Sequence, residues 1–185
     1  SVPLGGYLKS TNLLPGMAVR KGQSLAILED PQYIQLQQDL LIAKIQFAAL
    51  ESEYNRQSEL NKSKAVSDKS YEEIKSKYFT EKITIQSLKE KLNLIGINPE
   101  TLNENNISRR ISLYSPINGF TTRVNANIGK YVNPSDVLFE LVDPSDIHLN
   151  LNIFEKDIHK LYIGQKLVAY TNIHPDIKHK CEIIL

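Results

Sequence analysis

The sequence predicts an α+β fold in which a small β-sandwich is split by an inserted antiparallel hairpin of two long helices. Two observations lead to this prediction: a β-rich segment near the start of the chain recurs near its end, and two segments with helical apolar spacing lie between the copies. The predicted modules are residues 1–30 and 112–146 for the sandwich halves, 31–98 for the hairpin, 99–111 for a linker and 147–185 for a C-terminal segment.

Composition excludes some functions and leaves others open. The chain has 185 residues, a net charge of +1 and a single cysteine, Cys181. Because the charge is nearly balanced, electrostatics gives no support for binding to nucleic acid or to an anionic membrane. No window approaches the roughly 18–20 apolar residues that span a bilayer. Since the chain opens in a strand and closes on an apolar run, we expect a fragment of a longer protein.

The first element is an internal repeat. Residues 2–31 align without a gap on residues 115–144, and nine of the aligned pairs are identical. Nine matches spread evenly along the segment indicate two copies of one structural unit. The identical pairs are Pro3/Pro116, Gly6/Gly119, Asn12/Asn125, Gly16/Gly129, Val19/Val132, Leu25/Leu138, Leu28/Leu141, Asp30/Asp143 and Pro31/Pro144.

Each copy of the repeat reads as short strands joined by turns at Gly or Asn. A segment of about 30 residues cannot bury its apolar face alone. We therefore expect the copies to pack face to face as one pseudo-symmetric sandwich. The residues predicted to share its core are Val19, Leu25, Ile27 and Leu28 with Val132, Leu138 and Leu141.

The insertion predicts a helical hairpin with coiled-coil packing. Apolar residues recur at alternating spacings of three and four, which is typical of coiled coils. They are Tyr33, Leu36, Leu40, Ala43, Phe47, Leu50 and Tyr54, then Tyr71, Ile74, Tyr78, Ile85, Leu88, Leu92 and Ile95. Either Ser67 or Ser70 is expected to cap the second helix, and "SYEE" at 70–73 fits a capping box. Gly96 is expected to end it, with Pro99 beyond.

The turn of the hairpin carries three candidate binding residues. Arg56 and Leu60 are four positions apart, so they share a face of the first helix. Ser67 opens the second helix across the turn. Each residue alone is also explained without a partner, as a solvated charge, a scattered surface leucine and an N-cap. Together, at the end of a long rod, they predict a contact surface.

The whole chain resembles the periplasmic adaptor subunits, or membrane fusion proteins (HlyD-like), of tripartite bacterial efflux pumps. The resemblance depends on the split layout, on "SPINGFTTRVNANIGKYV", and on the spacing of Arg56, Leu60 and Ser67, which matches the family's R-x3-L-x6-S tip motif. It implies a biotinyl/lipoyl-like sandwich, and residues 147–170 look like the start of the family's β-barrel domain. "KLNLIGINPETLNE" is similar to the cation or heavy-metal branch of resistance-nodulation-division (RND) pumps.

The resemblance also implies partners and a location. The tip would contact an outer-membrane channel protein, the barrel would engage an inner-membrane transporter, and copies of the chain would form a ring of six. The full-length protein would lie in the periplasm, anchored to the inner membrane. Adaptors of ABC-type exporters or type I secretion systems have similar tips and remain an alternative. Hinges are expected near Glu29–Gln32 and Asn98–Ser108, where polar, Pro-containing stretches join the modules.

Other functions find less support in the residues. No nucleophile, base and orienting group can be proposed for an enzyme, and no cofactor is expected. A lipoyl or biotin carrier needs a modifiable lysine at the turn that the hairpin replaces here. His179 and Cys181, two positions apart on a predicted strand near His174, are weak candidate ligands for a soft metal. They match no recognised ligand spacing, so polar surface residues are the alternative.

Overall fold

The computed structural model describes residues 2–145, 148–173 and 176–184. The chain divides into two compact units, Ser1–Ser145 and Asp146–Leu185. In chain order, the elements of the first unit are β1 (Gly6–Thr11), β2 (Ala18–Val19), β3 (Ser24–Glu29), α1 (Pro31–Lys62), α2 (Asp68–Leu94), β4 (Arg110–Tyr114), β5 (Gly119–Val124), β6 (Tyr131–Val132) and β7 (Phe139–Val142).

The strands of the first unit form two antiparallel sheets. One has the order β4-β3-β1-β6 and the other the order β2-β5-β7. Each sheet combines strands that precede the two helices with strands that follow them. The sandwich therefore needs both ends of the unit, as the repeat predicted.

The two copies of the repeat pair in the same register. β1 pairs with β3 and β5 with β7, and a bulge interrupts the register after Leu8 in one copy and after Thr121 in the other. The short strands cross between copies, because Val19 of β2 lies opposite Gly119 and Val132 of β6 lies opposite Gly6. These equivalent pairings confirm the internal repeat, and they show that the copies exchange a strand.

Matching turns hold the exchanged strands. The amide of Gly129 donates to the carbonyl of Leu8 at 2.8 Å, and the amide of Gly16 donates to the carbonyl of Thr121 at 2.7 Å. Both glycines are left-handed, with φ of 85° and 86°. Only glycine adopts this conformation without steric cost, which explains why the position is identical in the two copies.

The core extends beyond the sandwich into the base of the hairpin. Leu28, Val132 and Leu138 lie in its main cluster, as predicted, while Val19 and Leu25 form a smaller cluster with Leu13. Leu141 packs against the smaller cluster. The prediction for Ile27 is wrong, because this side chain is only partly buried and belongs to neither cluster. The main cluster also takes in Tyr33, Leu40, Ala43, Leu88, Leu92, Ile95 and Leu102.

Both helices begin with a side-chain N-cap. Asp30 caps α1 by accepting a hydrogen bond from the amide of Gln32 at 2.8 Å, and Pro31 opens the helix, where its missing N–H costs nothing. Ser67 caps α2 through the amide of Ser70 at 3.2 Å. The capping-box prediction at 70–73 is wrong, because Ser70 already lies inside the first turn and supplies the bonded amide.

The end of α2 follows the prediction. The helix stops at Leu94, and Gly96 adopts φ of +78°. The amide of Ile97 donates back to the carbonyl of Leu92 at 3.0 Å, and that of Gly96 to Asn93 at 3.0 Å. This left-handed closure satisfies carbonyls that the last turn leaves open. Gly96 is therefore confirmed as the residue that terminates the helix.

The two helices pack along the predicted seam, but the burial and the residue types of the seam change from the base of the hairpin to its tip. Near the sandwich the seam is buried, at Tyr33, Leu40, Leu88 and Leu92. Further out the seam is aromatic and only partly buried. Its ring pairs are Phe47 with Tyr78 at 5.1 Å, Tyr54 with Tyr78 at 4.7 Å and Tyr54 with Tyr71 at 6.0 Å between centroids.

The second unit contains a short 3₁₀ helix (Glu155–Lys160) and two antiparallel strands, β8 (Lys166–Ala169) and β9 (His179–Glu182). Among its described residues, no side chain is fully buried. Across the described parts of the whole chain, neither long helix combines the length and apolar character that a bilayer crossing requires.

Candidate partner-binding site at the hairpin tip

The tip of the hairpin is a short, well-bonded turn between α1 and α2. The amide of Lys64 donates to the carbonyl of Asn61, and that of Ala65 to Leu60, both at 2.9 Å. The side-chain amide of Asn61 donates to the carboxylate of Asp68 at 2.9 Å and so bridges the two helices. These bonds give the tip a defined backbone on which side chains can be presented.

Lys64 is the conformational exception in this turn. Its φ is +57°, and it is the one non-glycine residue with positive φ in the described chain. A non-glycine residue in the left-handed region costs about 1 kcal/mol or more. Sequence reasoning missed this position, because lysine gives no signal for a left-handed conformation.

Arg56 lies exposed on α1 and forms an ion pair with Glu53, one turn earlier. The carboxylate of Glu53 also accepts a 2.8 Å hydrogen bond from the side-chain amide of Gln57. That bond, aided by the charge of Arg56, holds the pKa of Glu53 below its ordinary value. A guanidinium has five N–H donors, so the pair with Glu53 leaves donors that face solvent.

Leu60 is 37% exposed one turn beyond Arg56. Its backbone carbonyl accepts bonds from the amide of Ala65 and from the hydroxyl of Ser63. The backbone of Leu60 is thus fixed by the turn, while its side chain stays accessible. An apolar side chain held in this way is suited to insertion into a groove between helices of a partner.

Ser67 lies exposed on the other side of the turn, and its hydroxyl oxygen is occupied as the N-cap acceptor. The hydroxyl hydrogen remains free to serve as a donor to another group. The structure therefore places Arg56 and Leu60 on the last turns of α1 and Ser67 at the first residue before α2.

A buried polar atom lies close to these residues. The side-chain carbonyl oxygen of Gln57 is buried and has no hydrogen-bond partner among the described residues. Gln57 and Asn61 continue the three-four spacing of the seam towards the turn, and both are polar. The spacing alone gives no indication of the missing partner.

The base of the hairpin is held by polar contacts that sequence reasoning missed. The phenol of Tyr33 donates a buried 2.6 Å bond to the carbonyl of Gly5, to which the side chain of Gln32 also donates at 2.7 Å. Burial raises the pKa of Tyr33 above its usual range, so the phenol stays protonated as a donor. The side-chain amide of Gln37 bonds both the carbonyl and the amide of Ser108, at 2.7 and 3.1 Å.

Charged side chains also hold the sandwich end of the hairpin. Glu29 pairs with Arg110 at 3.0 Å and with Arg109 at 3.3 Å. The hydrogen bond from Arg110 lowers the pKa of Glu29. The amine of Lys44 donates to the carbonyl of Pro99 at 2.8 Å. Both segments in which hinges were expected are therefore tied to the hairpin base, which argues for a stiff junction.

The weak metal candidates lie on β9. The thiol of Cys181 lies 3.6 Å from the backbone carbonyl of His179 and donates to it. No group of three or more potential ligands occurs in the parts of the chain that the structure describes. His174 lies outside the described residues.

The chain is similar in sequence to a cation efflux protein. No protein-family model matches the chain. The chain is 25% identical over 175 residues to the cation efflux system protein CzcB of Alcaligenes sp. (strain CT14), a match that covers 95% of this chain and 33% of that protein. The chain thus spans about a third of the length of this curated relative.

The fold of the chain is similar to those of several solved structures. ZneB from Cupriavidus metallidurans matches 99% of this chain and 75% of its own, at 24% identity and a TM-score of 0.53. A MacA–MexA chimera with the α-hairpin domain of Pseudomonas aeruginosa MexA matches 98% of this chain and 59% of its own, at 19% identity and a TM-score of 0.61. The membrane fusion protein Spr0693 from Streptococcus pneumoniae R6 matches 97% and 73%, at 18% identity and a TM-score of 0.51.

This chain has the membrane fusion protein fold. The fold that the family resemblance implies is thereby confirmed, and the curated relative is itself named as a cation efflux system protein. Within the membrane fusion protein fold of this chain, Arg56, Leu60 and Ser67 lie at the end of the hairpin that is farthest from the sandwich.

Proposed function

We propose that the chain is part of a periplasmic adaptor that links an inner-membrane efflux transporter to an outer-membrane channel, and that it transmits and seals rather than catalyses. The observation that carries this proposal is a long hairpin anchored in a β-sandwich core, with an ordered tip that presents the R-x3-L-x6-S residues. In this proposal the sandwich is the lipoyl-like domain of the family and residues 147–185 are part of its barrel domain.

The length of the hairpin suits a connector. α1 has 32 residues and α2 has 27. At about 1.5 Å per residue the longer helix extends about 48 Å. A hairpin of this length gains little stability from its outer half, where the seam is only partly buried. Its use is to carry the tip away from the sandwich.

The anchoring of the hairpin suits transmission. Side chains of both helices enter the main core cluster, where each fully buried leucine contributes about 1.5–3 kcal/mol. The polar contacts of Tyr33 and Gln37 add directional bonds to this packing. A rotation of the sandwich would therefore move the tip rather than bend the junction.

The tip chemistry suits a helical partner. Leu60 would enter a groove between channel helices, Arg56 would donate to carbonyls or carboxylates, and Ser67 would touch the partner while capping α2. Each contact is weak, so useful affinity requires several copies acting together. We place six copies in a ring around the pump axis, in the periplasm, with the full-length protein anchored to the inner membrane. The proposed cargo is a metal cation, as the name of the curated relative suggests.

Leu60→Asp tests this function in cells. The full-length protein with Leu60→Asp should lose cation resistance, because a carboxylate would be desolvated in the channel groove. Leu94→Asp, at an exposed leucine near the hairpin base, is the matched control and should keep resistance. Full resistance in the Leu60→Asp strain, with normal protein level and helicity, would refute the proposal.

A further inference from the structure

Both helices of the hairpin end in the same backbone motif. In each, the residue two positions after the helix has a left-handed backbone, and its amide and the next one donate to carbonyls of the last turn. At the end of α2 this residue is Gly96, with φ of +78°, and at the end of α1 it is Lys64, with φ of +57°. The hydrogen bonds are Gly96 to Asn93 and Ile97 to Leu92 in α2, and Lys64 to Asn61 and Ala65 to Leu60 in α1.

Lysine is an unfavourable residue at the left-handed position of this motif. Glycine adopts positive φ without a steric penalty, whereas a Cβ in this conformation crowds the backbone. Gly96 follows this rule and Lys64 does not. Since glycine would close α1 equally well, the side chain of Lys64 needs a use that offsets its conformational cost.

The side chain of Lys64 has no such use within the described chain. It is exposed, and its amine forms no ion pair or hydrogen bond with the residues that the structure describes. Other lysines of the hairpin are engaged, because Lys75 pairs with Glu72 at 2.9 Å and Lys89 pairs with Glu100 at 2.7 Å. The ammonium group of Lys64 is therefore available to a group outside the chain.

The acidic residues nearest to Lys64 along the chain do not pair with it. Glu59 and Asp68 are both exposed, and neither forms an ion pair in the described parts of the chain. The carboxylate of Asp68 instead accepts a hydrogen bond from the side-chain amide of Asn61 at 2.9 Å. The connecting segment 63–67 contains no second charged residue. Lys64 is thus a single unpaired ammonium group in the turn that joins the helices.

We propose that Lys64 is a further partner-binding residue, and that its ammonium group pairs with a carboxylate of the channel protein. The inference rests on the proposed function of the tip and names the chemistry of the partner there. Leu60 enters the apolar groove, and Lys64 reaches an Asp or Glu at the edge of that groove. Arg56 is less free for this role, because it already pairs with Glu53. A charge pair at the rim of an interface adds orientation and association rate more than affinity.

Zero-length crosslinking with a water-soluble carbodiimide tests this pair directly. The reagent joins a lysine amine to a carboxylate that touches it, whereas a phosphate group gives no stable amide. The full-length adaptor is treated in cell envelopes, and crosslinked peptides are identified by mass spectrometry. We expect an amide between Lys64 and an Asp or Glu of the channel. The pair of Lys89 and Glu100 is the internal positive control, and Lys91, which is exposed near the hairpin base, is the negative control.

Three variants separate the charge of Lys64 from its backbone conformation. Lys64→Gly removes the amine and relaxes the turn, Lys64→Gln removes the charge alone, and Lys64→Arg keeps a positive charge. We expect reduced cation resistance with the first two and normal resistance with Lys64→Arg, at equal protein level and helicity. A loss of resistance in Lys64→Gly cannot come from strain, because glycine is the favoured residue for this backbone.

The remaining outcomes oppose the proposal. Absence of a channel amide at Lys64, while the Lys89 control forms, would overturn it, and a loss of resistance without that amide would indicate a phosphate of a lipid instead. An equal yield of channel amide from Lys91 would indicate random collision. Normal resistance in Lys64→Gly would also overturn it. If Leu60→Asp abolishes resistance and Lys64→Gly does not, the tip function stands and only the role of Lys64 fails.

Discussion

The phenol of Tyr33 donates a buried 2.6 Å hydrogen bond to the backbone carbonyl of Gly5. Tyr33 belongs to the first turn of α1, whereas Gly5 immediately precedes β1 of the sandwich. The bond thus joins the hairpin to the sheet at the point where force would pass between them. Gly6 lies against the hydroxyl end of the Tyr33 ring, and a Cβ at Gly6 would collide with the phenol oxygen.

Removing this bond should cost stability without disordering the hairpin. Tyr33→Phe should lower the free energy of unfolding by about 1 kcal/mol, the usual net value of one hydrogen bond, since Gln32 still donates to Gly5. Gly6→Ala should cost more, because the added methyl displaces the buried ring. In the Tyr33→Phe/Gly6→Ala double variant, part of the lost free energy of unfolding should return, because the phenol oxygen that the added methyl meets is gone. Urea unfolding of the unmodified protein and the three variants measures these free energies. Strictly additive losses would contradict the assigned contact.

The position of Lys64 should accept glycine better than a β-branched residue. Lys64→Val should destabilise the tip by about 1–2 kcal/mol, because its left-handed backbone excludes a branched Cβ. Lys64→Gly should not destabilise it. Hydrogen exchange of the backbone amides at positions 64 and 65 in each variant reports the opening of the turn. Equal exchange in the two variants would show that the positive φ is unimportant for tip order.

Ser67 has two assigned roles that substitution can separate. Ser67→Ala should lower stability by about 1 kcal/mol through loss of the N-cap, whereas Ser67→Asp should keep the cap. If Ser67 also touches the channel, Ser67→Asp should impair cation resistance despite normal thermal stability. Normal resistance in this variant would leave Ser67 with the capping role alone.

The pair between Glu29 and Arg110 should make the hairpin base sensitive to acid. The hydrogen bond from Arg110 lowers the pKa of Glu29 in the folded protein. A lowered folded pKa gives stability that is present above the ordinary carboxyl pKa and is lost as pH falls through the folded value. Arg110→Gln should therefore raise the pKa of Glu29, as measured by NMR titration of its carboxyl group. An unchanged pKa would contradict the assigned partner.

Much of this fold could be predicted from the sequence because it repeats. The identical glycines at positions 6 and 119 mark equivalent sites, and in both a Cβ would meet neighbouring atoms. The exchange of the short strands could not be predicted, since two-residue strands such as Ala18–Val19 carry no pairing signal. The seam was visible in the 3-4 spacing, which depends only on local helix geometry.

The contacts that join the modules were beyond sequence reasoning. Gln37 reads as a polar interruption beside the seam, yet its amide bonds Ser108, which is 71 residues away in the chain. Long-range pairs of this kind depend on the assembled core. Ser67 and Ser70 both had cap chemistry, and α2 begins at the earlier one because Asp68 and Lys69 are compatible with a helix. The tip residues were found by spacing, while the left-handed turn at Lys64 was not.

Site-specific photocrosslinking in cells tests the central claim most directly. A photoreactive amino acid is placed at Leu60 of the full-length protein and, in a control, at Lys91, which is exposed near the hairpin base. We predict an adduct with the outer-membrane channel from position 60 and none from position 91. Absence of a channel adduct from position 60, or an equal adduct from position 91, would contradict a tip that docks on the channel.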